Sequence, residues 1–464
     1  MLRDTIFAIG LAVFFPVNLY AELPKNIKSL NHKYRFDQES YSFAIQNLSD
    51  KAKPIISHNA ETLFNTASLV KIYSTFIALK DLGPNYKWRS EFSYTGRIDE
   101  ATLNGDLIFT GTGDASFSIA DLEKMVREIQ RLGIKNINGN LVLDYSFFGA
   151  MPNKMNFDSS PFRAYNVLPS PISLQSNTIN FKFYPVKDKV KIIFEPYLSQ
   201  LRIINGLKNN NRPCANWKSL LGIEIIDTEN IRFSGSFSNQ CIGKEIDLAL
   251  LENSHYFHEV FKEIWLRNGG AYSGHVKKTY EEMANKKVIS THYSRPVSEL
   301  IRDTNKFSLN LMARNLMLTV IREVSGIRPT EDMVNEYINR WLQREGLTFK
   351  NFFVDNGAGL SRNIKISSNQ LLQTLQKIYN DPLMPEMIAS FPIASIDGTL
   401  TDRMQSDKFK QKGHFKTGSL KDVVSIAGFF LNNEGDMLAF VFIMNGNKAN
   451  KAQPFIDDLI GLNY

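Results

Sequence analysis

Five residues in this chain have the types and order that acyl transfer to a serine would need. Ser68-Leu69-Val70-Lys71 is its one Ser-x-x-Lys, and it opens an apolar run from Thr66 to Leu79. Lys416-Thr417-Gly418 is its one Lys-Thr-Gly, and Ser308-Leu309-Asn310 lies between them. A serine hydroxyl is a poor nucleophile near neutral pH and needs a base. Lys71, one helical turn on, shares a face with Ser68. Lysine is a base only when uncharged, and burial plus a second cation at Lys416 would both lower its pKa. The N–H groups of Ser68 and Ser419 would then form an oxyanion hole. Ser308 is suited to relay a proton to a leaving amine. Asn310 is suited to hold Lys71 and a substrate amide. Thr417, Gly418 and Ser419 form the substrate-binding set, in which Lys416 and two hydroxyls suit a terminal carboxylate.

None of these motifs is specific alone. Ser-x-Asn also begins at Ser29, Ser57, Ser361 and Ser367. Order and context carry the reading: a serine opening an apolar helix, a second motif beside a helical segment, a third before an apolar hairpin. The helix of Ser68 is apolar nearly all round (Leu69, Val70, Ile72, Tyr73, Phe76, Ile77, Leu79), as a core helix is.

At 464 residues and 22% charged, the chain is long enough for two or three domains and too apolar to be disordered. Tyr41 to Ile45 reads as a strand. Short alternating runs follow between about 89 and 284, among them Leu107–Thr110, Gly139–Asp144, Thr178–Phe183 and Lys189–Phe194, so this stretch is mainly β. Helical periodicity returns at 297–301, 309–324 and 330–345. Val424–Leu431 and Met437–Met444 flank a turn at 432–435 and are nearly all apolar, as in a sheet covered on both faces. A helix over 452–463 closes the chain.

Arg3, the apolar stretch Ile6–Phe15 and a small-residue site ending at Ala21 read as a secretory leader over 1–21, with a short membrane anchor as the alternative. An exported chain meets oxidising conditions, so a disulfide between Cys214 and Cys241 is expected, with two buried thiols as the alternative. His255 and His258 have no zinc-protease spacing and no third ligand; they are expected on a solvated helix face, with no metal. The formal charge of +7 and pI near 9.0 suit a surface near anionic wall or lipid. No basic stripe interleaved with aromatics points to nucleic acid.

The three motifs resemble those of the penicillin-recognising serine enzymes. The wide β-rich gap between the first and second resembles one branch, the class C low-molecular-mass penicillin-binding proteins, which are D-alanyl-D-alanine carboxypeptidases and endopeptidases. Gly105–Asp114, Gly139–Phe148, Asp355–Arg362 and Pro392–Leu400 resemble further segments of that family. Ala115 and Lys421 depart from its usual residues. The resemblance implies an α/β (α+β) transpeptidase/β-lactamase-like domain, an antiparallel sheet flanked by helices, with two mainly-β domains inserted. Residues 22–88 and 285–464 would form the catalytic domain, 89–165 and 226–284 the first insertion, and 166–225 a second nested in it. It further implies an acyl-enzyme on Ser68, no cofactor, peptidoglycan stem peptides and cross-links as substrates, β-lactams as covalent inhibitors, and the periplasm of a Gram-negative-type bacterium. A diaminopimelate side chain would meet Asp144 through its ammonium and Arg362 through its carboxylate. Two rivals stay open: a β-lactamase or esterase on the same scaffold, and a non-catalytic wall scaffold.

Overall fold

The computed structural model describes residues 24–462, apart from 51, 152–156, 159 and 406–409. The leader-like residues 1–21 lie outside the described residues.

Both ends of the chain build one antiparallel sheet. Its order is Gly413–Leu420, Val423–Leu431, Met437–Asn445, Tyr41–Asn47, Ile56–His58. The two central hairpin strands are apolar on both faces because helices cover both faces. Alternate residues sort accordingly. Ala439, Val441 and Ile443 pack into the cluster of the Val70–Asp81 and Asn310–Ser325 helices. Leu438, Phe440, Phe442 and Met444 pack against the terminal helices Lys25–Tyr34 and Gln453–Ile460. The helix Lys25–Tyr34 was not apparent in the sequence. Ile27 is its one buried residue, and it docks through Lys33 and Tyr34 on Asp458.

The inserted stretch forms its own layers. Val276–Thr279, Leu141–Asp144, Leu107–Gly111, Arg89–Tyr94 and Lys287–Tyr293 make a five-stranded sheet against the helices Ile119–Arg131 and Asn253–Arg267. Since Lys287–Tyr293 pairs with Arg89–Tyr94, the outer junction falls after Tyr293 rather than at 285. The inner unit also runs past 225. Lys244–Leu248 pairs with Ile179–Val186, and Asn230–Ser238 pairs with Leu221–Ile225. The Asn-rich stretch after 205 includes the strand Lys208–Asn210, which pairs with Ser236–Ser238 and so lies inside this unit.

His258 corrects a second expectation. It sits in the helix Asn253–Arg267 but is buried, bonded to Glu259 and to the hydroxyl of Tyr272. That helix face is interior, not solvated.

Cys214 and Cys241 form a disulfide across 27 residues within the inner unit. The Cys214→Ala/Cys241→Ala variant is expected to lose about 3–4 kcal/mol on the chain-entropy account. Chemical denaturation of oxidised wild type, reduced wild type and the double variant checks this. The latter two should unfold at one lower midpoint.

Candidate active site

The local chain around Ser68 is set by close backbone contacts. Residues Ala67–Leu69 form a 3-10 turn that runs straight into the helix Val70–Asp81. Ala67 has a positive φ of 47°, and its N–H donates to Asn65 Oδ1 at 2.9 Å. Ser425 Oγ donates to the Thr66 carbonyl at 2.7 Å. Two glycines press on the peptide of Ser68. A Cβ at Gly418 would lie 2.5 Å from Thr66 O, and one at Gly359 would lie 2.0 Å from Ala67 O. Any side chain at either place would push the turn out of position.

Lys71 is fully buried. Its Nζ lies 2.9 Å from Ser68 Oγ, 2.7 Å from Asn310 Oδ1 and 2.6 Å from the Ala358 carbonyl. Burial first, and the positive Lys416 second, hold its pKa well below that of an ordinary lysine. A neutral amine has two N–H groups and one lone pair. The two carbonyl oxygens can only accept, so they take both N–H groups, and the lone pair is left for the Ser68 O–H. The arrangement is that of a general base with its nucleophile.

Lys416 faces this group from the edge strand. Its Nζ donates to Ser308 Oγ at 3.0 Å and to the Thr417 carbonyl at 2.7 Å. It is fully buried, and burial pushes its pKa down to about 7. Ser308 sits at a positive φ of 56° in the turn between the helices Val297–Lys306 and Asn310–Ser325. That turn aims its hydroxyl at Lys416 while Asn310, two residues on, reaches Lys71.

The candidate oxyanion donors follow from strand alternation. Gly413–Leu420 is a sheet edge, and its outward groups at Gly413 and Phe415 bond the segment at 392–394. With period 2, the N–H of Ser419 also points away from the neighbouring strand. It adjoins Gly418, which touches the Ser68 peptide, so Ser68 and Ser419 bring two N–H groups to one side.

Several partners were not named from the sequence. The Ala358 carbonyl holds Lys71, and the Tyr165 carbonyl accepts from Asn310 Nδ2 at 3.2 Å. Main-chain acceptors leave no mark in residue type. Lys306 pairs with Asp397 at 2.6 Å, and Thr399 Oγ1 lies 2.7 Å from Thr417 Oγ1. Asp397 and Thr399 lie in the segment Pro392–Leu400, and that likeness was the available signal.

Asp144 is bonded to residues of the inserted sheet. Its side chain is fully buried at the end of Leu141–Asp144. It accepts from Thr110 Oγ1 at 3.2 Å and from Ser146 N at 2.9 Å, and Lys286 lies 3.5 Å away. All three partners belong to the inserted sheet region. Arg362 is half exposed on the loop after Gly359, paired with Asp422 and stacked over Phe157 at 5.0 Å.

Comparison with known proteins agrees over almost all of the chain. The D-Ala-D-Ala carboxypeptidase 3 (S13) family matches residues 23–462. A D-alanyl-D-alanine carboxypeptidase of Haemophilus influenzae is 24% identical over 444 residues, covering 94% of this chain and 91% of its own. Another, of Actinomadura sp., is 24% identical over 402 residues, covering 82% and 73%. The crystal structure of penicillin binding protein 4 from Haemophilus influenzae shares the fold, with a TM-score of 0.78 at 23% identity over 95% of this chain and 100% of that one.

The two lysines set opposite pH limbs. Proton abstraction needs neutral Lys71, so acylation of Ser68 rises as pH climbs through its lowered pKa. Holding an anionic acyl donor needs charged Lys416, so kcat/KM falls as pH climbs through about 7. A bell-shaped kcat/KM profile is expected, and Lys416→Arg, always charged, should move only the alkaline limb upward. An alkaline limb unmoved in that variant would remove Lys416 from this role.

Proposed function

The chain belongs to the D-Ala-D-Ala carboxypeptidase 3 (S13) family, and from that premise we propose how its own residues run the peptidase reaction. It is a serine-type carboxypeptidase of peptidoglycan peptides that binds penicillin. One observation carries the assignment of roles: a buried, weakly basic Lys71 in contact with both Ser68 Oγ and Asn310 Oδ1.

Ser68 Oγ attacks the carbonyl carbon of the penultimate D-Ala as neutral Lys71 takes its proton. The developing oxyanion lies between the N–H groups of Ser68 and Ser419. The C–N bond breaks, and the proton that Lys71 took passes through Ser308, which Lys416 holds, to the departing amine, so that Lys71 is neutral again. The acyl group stays as an ester on Ser68. A water molecule then attacks the ester with Lys71 as base, releasing the shortened peptide and restoring Ser68. When the departing amine is the free D-alanine the reaction is that of a carboxypeptidase. When it is a diaminopimelate side chain of a neighbouring stem, it is that of an endopeptidase. The terminal carboxylate sits at Lys416, Thr417 and Ser419, beside Gly418.

Arg362, exposed and paired with Asp422, presents a cation for the carboxylate of a diaminopimelate side chain, and Asp144 is the partner proposed for its ammonium. Residues 1–21 and the wall substrate support export to the periplasm of a Gram-negative-type bacterium. The basic net charge supports peripheral contact with anionic wall or membrane.

Intact-mass spectrometry tests the nucleophile. Wild type incubated with benzylpenicillin should gain one long-lived penicilloyl adduct, and Ser68→Ala none. Lys71→Ala should acylate about a thousandfold more slowly. Rapid turnover of the penicillin would favour a β-lactamase, and an adduct retained in Ser68→Ala would overturn the assignment. Arg362→Ala should raise KM about tenfold for peptides carrying diaminopimelate and spare simple esters. Equal losses on both would end that part of the reading.

A further inference from the structure

We infer that Thr399 is a positioning residue for the substrate's terminal carboxylate, acting through the hydroxyl of Thr417. The inference rests on the peptidase reading above.

Thr399 and Thr417 face each other at the mouth of the site, with their Oγ1 atoms 2.7 Å apart and solvent within reach. Two hydroxyls share one O–H···O bond, so one of them keeps a proton to spend elsewhere. A carboxylate accepts and never donates. Placed at Thr417, it claims that residue's proton and so fixes the order: Thr399 donates to Thr417, and Thr417 donates to the anion. A hydroxyl that accepts one hydrogen bond becomes a stronger donor in the next. Without Thr399, the Thr417 hydroxyl is free to turn away, toward water.

The position of Thr399 is itself held from inside the protein. Asp397, two residues earlier, takes Lys306 Nζ at 2.6 Å and the Ile393 N–H at 2.8 Å. Lys306 is buried and also donates to the Phe391 carbonyl at 3.0 Å. Gly398 has a positive φ of 59° and lies against the Lys306 carbonyl, where a Cβ would come within 2.5 Å. Lys306 ends its helix two residues before Ser308. One buried cation thus anchors both the Ser308 turn and the Thr399 turn, the two segments that flank Lys416 and Thr417.

Steady-state kinetics of wild type, Thr399→Val and Thr399→Ser test this, on an acyl-D-Ala-D-Ala peptide and on a matched ester lacking the terminal carboxylate. Thr399→Val should raise KM for the peptide about tenfold while kcat changes less than about threefold. The ester should be handled as by wild type, and Thr399→Ser should restore peptide KM. Thr399 is exposed, and an unchanged melting temperature would show that the fold survives. An unchanged KM, an equal loss on both substrates, or no restoration by serine would overturn the inference. Wild type that acylates with the ester but leaves the peptide uncut would instead overturn the peptidase reading, and this inference with it.

Discussion

The chemistry of this site turns on the charge of one buried amine. The three contacts of Lys71 suit either protonation state, because an ammonium could donate to all three oxygens. What changes is the direction of one bond. Beside an ammonium, Ser68 Oγ is an acceptor and inert. Beside a neutral amine, it is a donor and half-way to an alkoxide. Geometry alone does not choose between them; the environment does. Burying a cation without a carboxylate partner is costly, and the groups packed around Lys71 are two carbonyls, a hydroxyl and another lysine's field. Among the described residues the amine's bonding partners are dipoles, not an anion, and that withholds the charge.

The rest of the catalytic domain can be understood as what keeps that amine dry and aligned. An apolar helix on one face of the sheet supplies the burial. The edge strand, built from the far end of the chain, supplies Lys416 and the outward N–H of Ser419. Gly359 and Gly418 let two backbone segments close on the Ser68 turn. The glycine of the last motif therefore has a packing reason distinct from the chemistry of its lysine.

How much of this was visible in the sequence depends on how local each feature is. Ser68 and Lys71 lie within one turn, Ser308 and Asn310 within one loop, and Lys416 to Ser419 on one strand, so their spacing could be read directly. The apolar hairpin at 423–445 was legible for the same reason. Residue type shows Asp144 as a carboxylate and hides its partner. Lys286, which lies against it, is 142 residues away in sequence. The limits of the inner unit were misjudged because strand pairing is non-local: nothing near Lys244–Leu248 reveals that it joins Ile179–Val186. Ala358 and Tyr165 act through main-chain oxygens, which any residue could offer.

The insertion is more than an appendage to the site. From one helix, Asn310 reaches the Tyr165 carbonyl, Arg314 reaches the Val167 carbonyl while pairing with Glu331, and Asn315 bonds Ser170 and the Gly113 carbonyl. These bonds fix segments of the insertion onto the helix that carries Asn310. A carbonyl oxygen accepts only, so Tyr165 holds the nitrogen end of the Asn310 amide on its own side. The oxygen end is then directed at Lys71. Were that amide reversed, its N–H groups would face the amine and compete for the lone pair that Ser68 needs. The orientation of the base is therefore set partly by a loop of the inserted unit, and movement of that loop would be felt at Ser68 without any change in the three motifs.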